Sequence, residues 1–88
     1  MKYKPITLSD IIMIKYPDEE FLIANGFDDA VIGVEPASMR LIHSVYKIMK
    51  ILEEKMESAD QLEIMEYIEY NIVGSYVGEK TPIWCYDI

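Results

Sequence analysis

Glu69 is the residue of this chain whose surroundings are best suited to chemistry. When residues 59–76 are wound at about 100° per residue, its carboxylate falls on the apolar side of a helix, between Leu62, Val73 and Tyr76. A carboxylate in that place must be paired, hydrogen-bonded or protonated, and acids perturbed in this way are enriched at functional sites. Glu69 is therefore the candidate perturbed acid of the sequence.

Three cationic or titratable side chains could pair with Glu69: Arg40, His43 and Lys80. The structural alternative is a hydrogen bond from a neighbouring backbone amide or hydroxyl, or a carboxylate at the edge of the apolar arc that reaches solvent. We favour this alternative, because buried polar groups that are satisfied usually serve the fold.

His43 could also form an acid–base set with four carboxylates: Asp28, Asp29, Glu35 and Glu69. Catalysis would require these groups to converge on one pocket, and nothing in their spacing demands it. The chain has no nucleophile elbow and no glycine-rich cofactor fingerprint. We predict that it is not an enzyme and that it has no catalytic residue and no cofactor.

Residues 74–81 nearly match a phosphate-binding loop, with Gly74, Lys80 and Thr81 at the required offsets. The position before the lysine must be glycine so that backbone amides can close on the phosphates, and here it is Glu79. A phosphate-binding loop also follows a strand, whereas this segment follows a predicted helix. We reject nucleotide binding and interpret the glycines as a helix end and a turn.

Metal binding through nitrogen and sulfur ligands is excluded by the presence of one cysteine, Cys85, and one histidine, His43. The acidic residues do not follow the spacing of a calcium-binding loop. We predict no metal site. A single cysteine cannot form an internal disulfide, and Cys85 is interpreted as a strand residue that faces the core.

The chain is acidic, with sixteen Asp and Glu against eight Lys and Arg and a formal charge of −8. This charge repels phosphate backbones, so we predict no direct nucleic-acid binding. It would suit a basic protein partner, but the favoured explanation is that the charge serves solubility alone. The longest apolar run, residues 11–14, is far shorter than the roughly 20 residues of a membrane span, and residues 1–5 lack the apolar core of a secretory leader. We predict a cytoplasmic protein that does not bind membranes.

The length of 88 residues predicts a single domain, residues 1–88. In its N-terminal third, a proline, three acids and an Asn-Gly stop predict a helix over residues 17–24. Ser9 could cap a helical turn over residues 10–15, although residues 11–14 would serve equally as a strand. A short β-branched run over residues 30–35 predicts the first strand.

Residues 45–56 have the pattern of an amphipathic helix. Residues 39–44 before it permit two readings, a strand that ends in a Ser44 cap or a helix that continues from Ala37. Ser58 and Gln61 match a capping box, so a second long helix is predicted to start near residue 59. Its apolar arc contains Leu62, Ile64, Met65, Ile68, Ile72, Val73 and Tyr76.

A last strand is predicted over residues 82–86, which are aromatic and follow a proline. Together the elements predict an α+β fold, a small antiparallel sheet covered on one face by helices. An aromatic terminal strand offers unpaired backbone groups, which raises the alternative of a structural homo-oligomer. Its contact residues would be Ile83, Trp84 and Tyr86.

Tyrosines and acids share the polar arc of the last helix and extend to the helix before it. Exposed tyrosines with a polar rim are typical of contact surfaces, because they supply area with little side-chain entropy. We therefore predict a protein-binding surface formed by Tyr46, Glu63, Glu66, Tyr67 and Tyr70. The alternative from another class is a ligand-binding or enzymatic domain centred on Glu69.

Two stretches of the chain resemble small uncharacterised proteins of tailed bacteriophages. The first is residues 66–82, in which an acidic helix runs into a Gly-x-x-x-Gly-x-x-Thr-Pro turn, and the second is residues 26–33. The resemblance implies a strand, cap and helix around Ser44. It also implies a small phage protein in the host cytoplasm that binds a host protein, for example to block a defence or transcription component.

Overall fold

A computed structural model describes residues 6–88 of the protein. It contains three α-helices, three strands, a 3₁₀ turn and a π-helix in this order: α1 (Leu8–Lys15), the 3₁₀ turn (Asp28–Ala30), β1 (Val31–Glu35), β2 (Arg40–Ser44), α2 (Val45–Lys55), α3 (Gln61–Ile68), the π-helix (Glu69–Val73) and β3 (Ile83–Cys85). The predicted α+β fold is confirmed. Within residues 6–88, no helix combines the length and apolarity needed to cross a bilayer. The prediction about a secretory leader concerned residues 1–5, which lie outside the described residues.

The sheet has the strand order β1-β2-β3 and is mixed. Strands β1 and β2 form an antiparallel hairpin, as predicted, and Val34 pairs with Leu41. Strand β3 instead runs parallel to β2, with Ile42 opposite Ile83 and His43 opposite Trp84. The antiparallel prediction therefore holds for only one of the two strand pairs. The long helical connection between β2 and β3 is the kind of crossover that a parallel pair requires.

The turn of the β1–β2 hairpin is organised by Glu35. Its carboxylate accepts hydrogen bonds from the Ala37 amide (3.0 Å), the Ser38 amide (2.8 Å) and the Ser38 hydroxyl (2.6 Å). The Ser38 hydroxyl and these two amides lower the pKa of Glu35. Met39 adopts a left-handed φ of 53° to close the turn. Glu35 therefore has a structural role at the hairpin.

Helix α1 decides between the two readings of residues 10–15 in favour of a helix. Its cap is Thr7 rather than Ser9, because the Thr7 Oγ1 accepts from the Asp10 amide (3.2 Å) and the Asp10 carboxylate accepts from the Thr7 amide (3.1 Å). Ser9 is buried instead. Ile12 is the apolar residue of α1 that is buried in the core.

The predicted helix over residues 17–24 is wrong, since this segment is irregular. Its apolar residues Phe21 and Ile23 both pack against the cluster of Ile12, Val31 and Leu41. Side chains two residues apart share a face only in an extended chain, so packing on the sheet overrides the short helical signal. The Asn-Gly turn after it is confirmed, because Gly26 has a φ of 86°.

Helix α2 confirms the strand, cap and helix reading around Ser44. The buried Ser44 hydroxyl accepts from the Lys47 amide at 3.0 Å and donates to Asp87 Oδ2 at 2.5 Å. Helix α3 starts at Gln61 and is capped by Asp60, whose Oδ1 accepts from the Glu63 amide at 2.8 Å. The predicted Ser58 capping box is wrong, because the acid two residues later takes its place.

Replacing Ser44 or Ser58 by alanine should distinguish the observed cap of α2 from the cap that was predicted at Ser58. Ser44→Ala is expected to lower the free energy of unfolding by about 1–2 kcal/mol, because it removes a cap and a buried hydrogen bond. Ser58→Ala, in an exposed turn, should change it by less than about 0.5 kcal/mol. Urea denaturation measures both, and equal effects would contradict the cap assignment.

The core has two clusters of buried residues. The larger joins α2 to α3 and the 3₁₀ turn, and the smaller joins α1 to the sheet. Leu41 lies in the smaller cluster, while Trp84 packs against the larger one and its ring contacts the His43 ring at a tilt of 49°. Since Leu41 and His43 are two apart on β2, both clusters lie on one face of the sheet. The helices therefore cover one face, as predicted.

The buried strip of α3 is narrower than the predicted apolar arc. Ile64 and Ile68 are fully buried, but Leu62 is 70% exposed and Tyr76 is 78% exposed. The π-helix Glu69–Val73 replaces the last α-helical turn, and the helical path ends at Gly74. The change of period and the early end remove Tyr76 from the arc.

Candidate functional site

Tyr46 and Tyr67 of the predicted partner surface lie at one end of the α2–α3 hairpin. The two helices are joined by a short connection and share a core. Beside this connection, Gln61 Nε2 at the start of α3 donates to Glu53 Oε2 near the end of α2 at 3.3 Å. Tyr46 at the start of α2 and Tyr67 at the end of α3 are thus at the same end of the hairpin. Tyr46 is 41% exposed, Tyr67 43% and Tyr70 85%.

The C-terminal segment joins this surface. The Tyr86 hydroxyl donates to Glu69 Oε2 at 3.5 Å, and Asp87 Oδ1 accepts from the Tyr46 amide at 3.1 Å. Burial and then the Glu69 carboxylate raise the pKa of Tyr86. The contacts connect the start of α2 to the π-helix. We call the four exposed residues Tyr46, Tyr67, Tyr70 and Tyr86 the tyrosine face.

The polar rim of the tyrosine face carries both signs of charge. Glu63 and Glu66 are exposed beside Tyr67, as predicted for the acidic side. At the other side, Lys50 Nζ lies 5.4 Å from the centroid of the Tyr46 ring in a cation–π contact.

Glu69 is exposed rather than buried on an apolar arc. The expectation was wrong because two of the residues that defined the arc, Leu62 and Tyr76, are themselves exposed. The alternative that Glu69 lies at the edge of the arc and reaches solvent is the one found. Its contact with Tyr86 makes it part of the rim of the tyrosine face.

The cations proposed as partners of Glu69 are engaged elsewhere. Arg40 Nε donates to the Thr81 carbonyl at 2.6 Å. Lys80 Nζ lies 3.2 Å from Glu19 Oε1 and 3.2 Å from the Met39 carbonyl. These bonds fasten the segment before β3 to the hairpin and to residues 17–24.

The glycine-rich stretch is a turn, as interpreted from the sequence. Thr81 Oγ1 donates to the Gly78 carbonyl at 2.6 Å and accepts from the Val77 amide at 3.0 Å, and Gly78 has a φ of 111°. Gly74 lies close to the preceding turn, since a Cβ there would lie a tight 3.1 Å from the Glu69 carbonyl oxygen. Gly74 thus ends the helix and Gly78 turns the chain toward β3.

His43 is an internal hydrogen-bond acceptor. It is fully buried, its ring lies 5.3 Å from the Trp84 ring, and its Nε2 accepts from the Ala24 amide at 3.3 Å. Since Nε2 accepts, the proton of the neutral ring is on Nδ1, which has no hydrogen-bond partner within residues 6–88. Burial lowers the pKa of His43, and the Asp28 carboxylate opposes this shift.

The acid–base set around His43 is not assembled. Glu35 lies in the hairpin turn and Glu69 on the tyrosine face. Asp28 and Asp29 are exposed in the 3₁₀ turn, where Asp28 acts on His43 only through its charge.

Of the residues proposed for an oligomer contact, Trp84 faces the core and Tyr86 faces solvent. Strand β3 is an edge strand, but Trp84 faces inward and packs against the core. Ile83 and Cys85 are half-buried on the opposite side of β3, and Tyr86 is exposed. The interpretation of Cys85 as core-facing is corrected by this alternation. Replacing Trp84 would alter the fold, so only Ile83 and Tyr86 can report on a β3 contact.

An apolar cavity of about 460 Å³ lies between residues 22–27, the π-helix and β3. Sequence reasoning missed it, because its walls come from parts of the chain that are far apart. The walls include Ile23, Phe27, Asn71, Ile72, Ser75 and Trp84.

The outward side of α1 was also missed. Leu8, Ile11 and Ile14 are exposed, Ile14 by 73%. Their spacing of three residues was a signal of one helix face, but the same run was compatible with a strand.

These features define an α+β domain with an exposed aromatic face and an apolar cavity. No protein-family model matches the chain, and neither the curated proteins nor the solved structures contain a significant match to it.

Proposed function

We propose that this protein is a small acidic binding module that engages a basic protein through the tyrosine face. The observation that carries the proposal is the exposure of Tyr67 and Tyr70 on a helical segment that also exposes Glu63 and Glu66. Aromatic side chains held at a polar rim are the groups that dominate binding energy at protein interfaces.

The charge of the chain supports the choice of partner. The formal charge is −8, and Glu63, Glu66 and Glu69 are exposed along the helix that carries Tyr67 and Tyr70. Such a surface attracts a basic protein and raises the association rate. In this proposal the protein acts without catalysis, and the resemblance to small phage proteins makes a bacterial host protein the expected target.

Affinity capture from a bacterial host lysate, read by mass spectrometry, tests the proposal. The double variant Tyr67→Ala/Tyr70→Ala should retain the fold, since surface changes usually cost less than about 0.5 kcal/mol. It should recover the partner about tenfold less well, because an aromatic anchor is typically worth more than about 1 kcal/mol. Association of the wild type should also slow as salt rises.

Tyr76→Ala is the matched control, because Tyr76 is 78% exposed and is not part of the tyrosine face. It should capture the partner as well as the wild type does. Undiminished capture by a folded double variant would place the contact surface elsewhere. Unfolding of the double variant would show that these tyrosines support the core.

A further inference from the structure

We propose that the apolar cavity between residues 22–27, the π-helix and β3 binds a small, neutral, aromatic molecule that carries a hydrogen-bond donor. The cavity of about 460 Å³ is within the size range of small-molecule sites. This proposal is independent of the tyrosine face.

The walls of the cavity are formed in advance. The Ala24 amide is bonded to His43, and the Phe27 amide donates to the Ala24 carbonyl at 2.9 Å. On the opposite side, the Ser75 hydroxyl donates to the Asn71 carbonyl at 3.1 Å. The wall at residues 24–27 is thus fastened to the sheet through His43, so little ordering is required there when a ligand enters.

The π-helix is a second, independent indication of a site. Its widened turn places Asn71 and Ile72 in the cavity wall. Single π-helical turns are rare in proteins and are frequent at functional sites. The turn also depends on the close approach of Gly74 to the Glu69 carbonyl, which a side chain would obstruct.

The lining determines the class of ligand. Trp84 and Phe27 supply aromatic surface, while Ile23, Ile72 and Pro82 supply aliphatic surface. No charged side chain is among the described lining residues, and the whole chain carries −8, so an anion is disfavoured.

Asn71 supplies a polar group in the wall that can orient a ligand. Asn71 Nδ2 donates to the Tyr67 carbonyl at 3.2 Å, which leaves Asn71 Oδ1 as an acceptor. A ligand with an N–H or O–H group can bond to it while its rings lie against Trp84. An apolar pocket with a few placed polar groups is the usual architecture of a small-molecule site.

N-phenyl-1-naphthylamine is a suitable probe, because it is neutral, aromatic and carries one N–H donor. Its fluorescence rises in apolar surroundings, and it accepts energy from tryptophan. Trp84 is the single tryptophan of the chain. We expect saturable one-to-one binding with quenching of Trp84 emission. The anionic analogue 8-anilinonaphthalene-1-sulfonate should bind about tenfold more weakly or worse.

Two matched variants test the location. Ser75→Phe places a ring in the cavity wall and should weaken binding of the probe about tenfold or more. Ser58→Phe makes the same change in the exposed turn before α3 and should leave binding unchanged. Equal binding by a folded Ser75→Phe variant, or equal binding of the anionic analogue, would overturn the proposal.

Amide chemical-shift mapping of the wild type does not depend on any variant. Addition of the probe should shift signals of residues 22–27, 71–77 and 84. Shifts confined to other surfaces, or no saturable binding up to the solubility limit of the probe, would overturn the proposal. Shifts confined to α1 would assign the probe to its exposed apolar side instead.

Discussion

Leu52→Ala is expected to lower the free energy of unfolding by about 2–5 kcal/mol. Leu52 is buried on α2 within the larger core cluster, next to residues of α3. Removal of its side chain loses transfer free energy and leaves a cavity that the surrounding helices only partly fill. Urea denaturation measures the effect, and the dependence of the free energy of unfolding on urea concentration should be unchanged.

Leu62→Ala is the matched control, because it makes the same chemical change on the neighbouring helix. Leu62 is 70% exposed, so its loss should change the free energy of unfolding by less than about 0.5 kcal/mol. Similar costs for the two variants would contradict the packing of the α2–α3 hairpin. A large cost for Leu62 alone would restore the wide apolar arc expected from the sequence.

Stability is expected to fall as the pH drops below about 6.5, through His43. Burial lowers the pKa of His43 in the folded protein, whereas the unfolded chain has the ordinary value of 6.5. Between the two values the unfolded state binds more protons, so protonation favours unfolding. The contribution of neutral His43 is complete above the unfolded value and is lost at up to about 1.4 kcal/mol per pH unit until the folded value is reached.

The geometry strengthens this expectation. Protonation would turn Nε2 into a donor, and Nε2 now accepts from the Ala24 amide. Two donors would then face each other in a buried place. Asp28 opposes this shift of the His43 pKa through its charge, so its replacement by Asn should extend the fall in stability to more acidic pH.

Thermal unfolding at pH 7.5 and 5.5 measures the effect, with His43→Gln as the control. Glutamine offers an acceptor near the position of Nε2 and does not titrate, so the variant should lose the dependence between these two pH values. The lowered pKa values of Glu35 and Asp87 act at more acidic pH, below their ordinary values of 4.5 and 3.8. A flat profile for the wild type, or an unchanged slope in the variant, would contradict the assignment.

Much of the local structure followed from the sequence alone. The β-branched run predicted β1, Ser44 predicted the start of α2, and the aromatic run predicted β3. These signals are local, because a cap, a turn glycine or a short period depends on neighbouring residues. The exposure of Tyr67 and Tyr70 followed for the same reason, since the period of a helix determines its outer side.

Errors occurred where a contact between distant residues overrode a local signal. Residues 17–24 carry helical end signals but extend over the sheet, because Phe21 and Ile23 gain burial against Leu41. Glu69 was placed on an apolar arc because a regular helical period was assumed. The π-helix and the end of the helix at Gly74 change that period.

The sequence by itself determined the α+β class, strand β1, the amphipathic helix over residues 45–56 and the acidic, tyrosine-bearing side of the last helix, but it left residues 39–44 open between a strand and a helix. Only the tertiary structure decided the parallel pairing of β3, the burial of His43 beneath Trp84, the junction of Tyr86 with Glu69 and the apolar cavity. The physical reason is the sequence separation over which each interaction acts. Caps and periodicity act between residues a few positions apart, whereas a cavity and a buried hydrogen bond such as that between Ala24 and His43 require the chain to have folded.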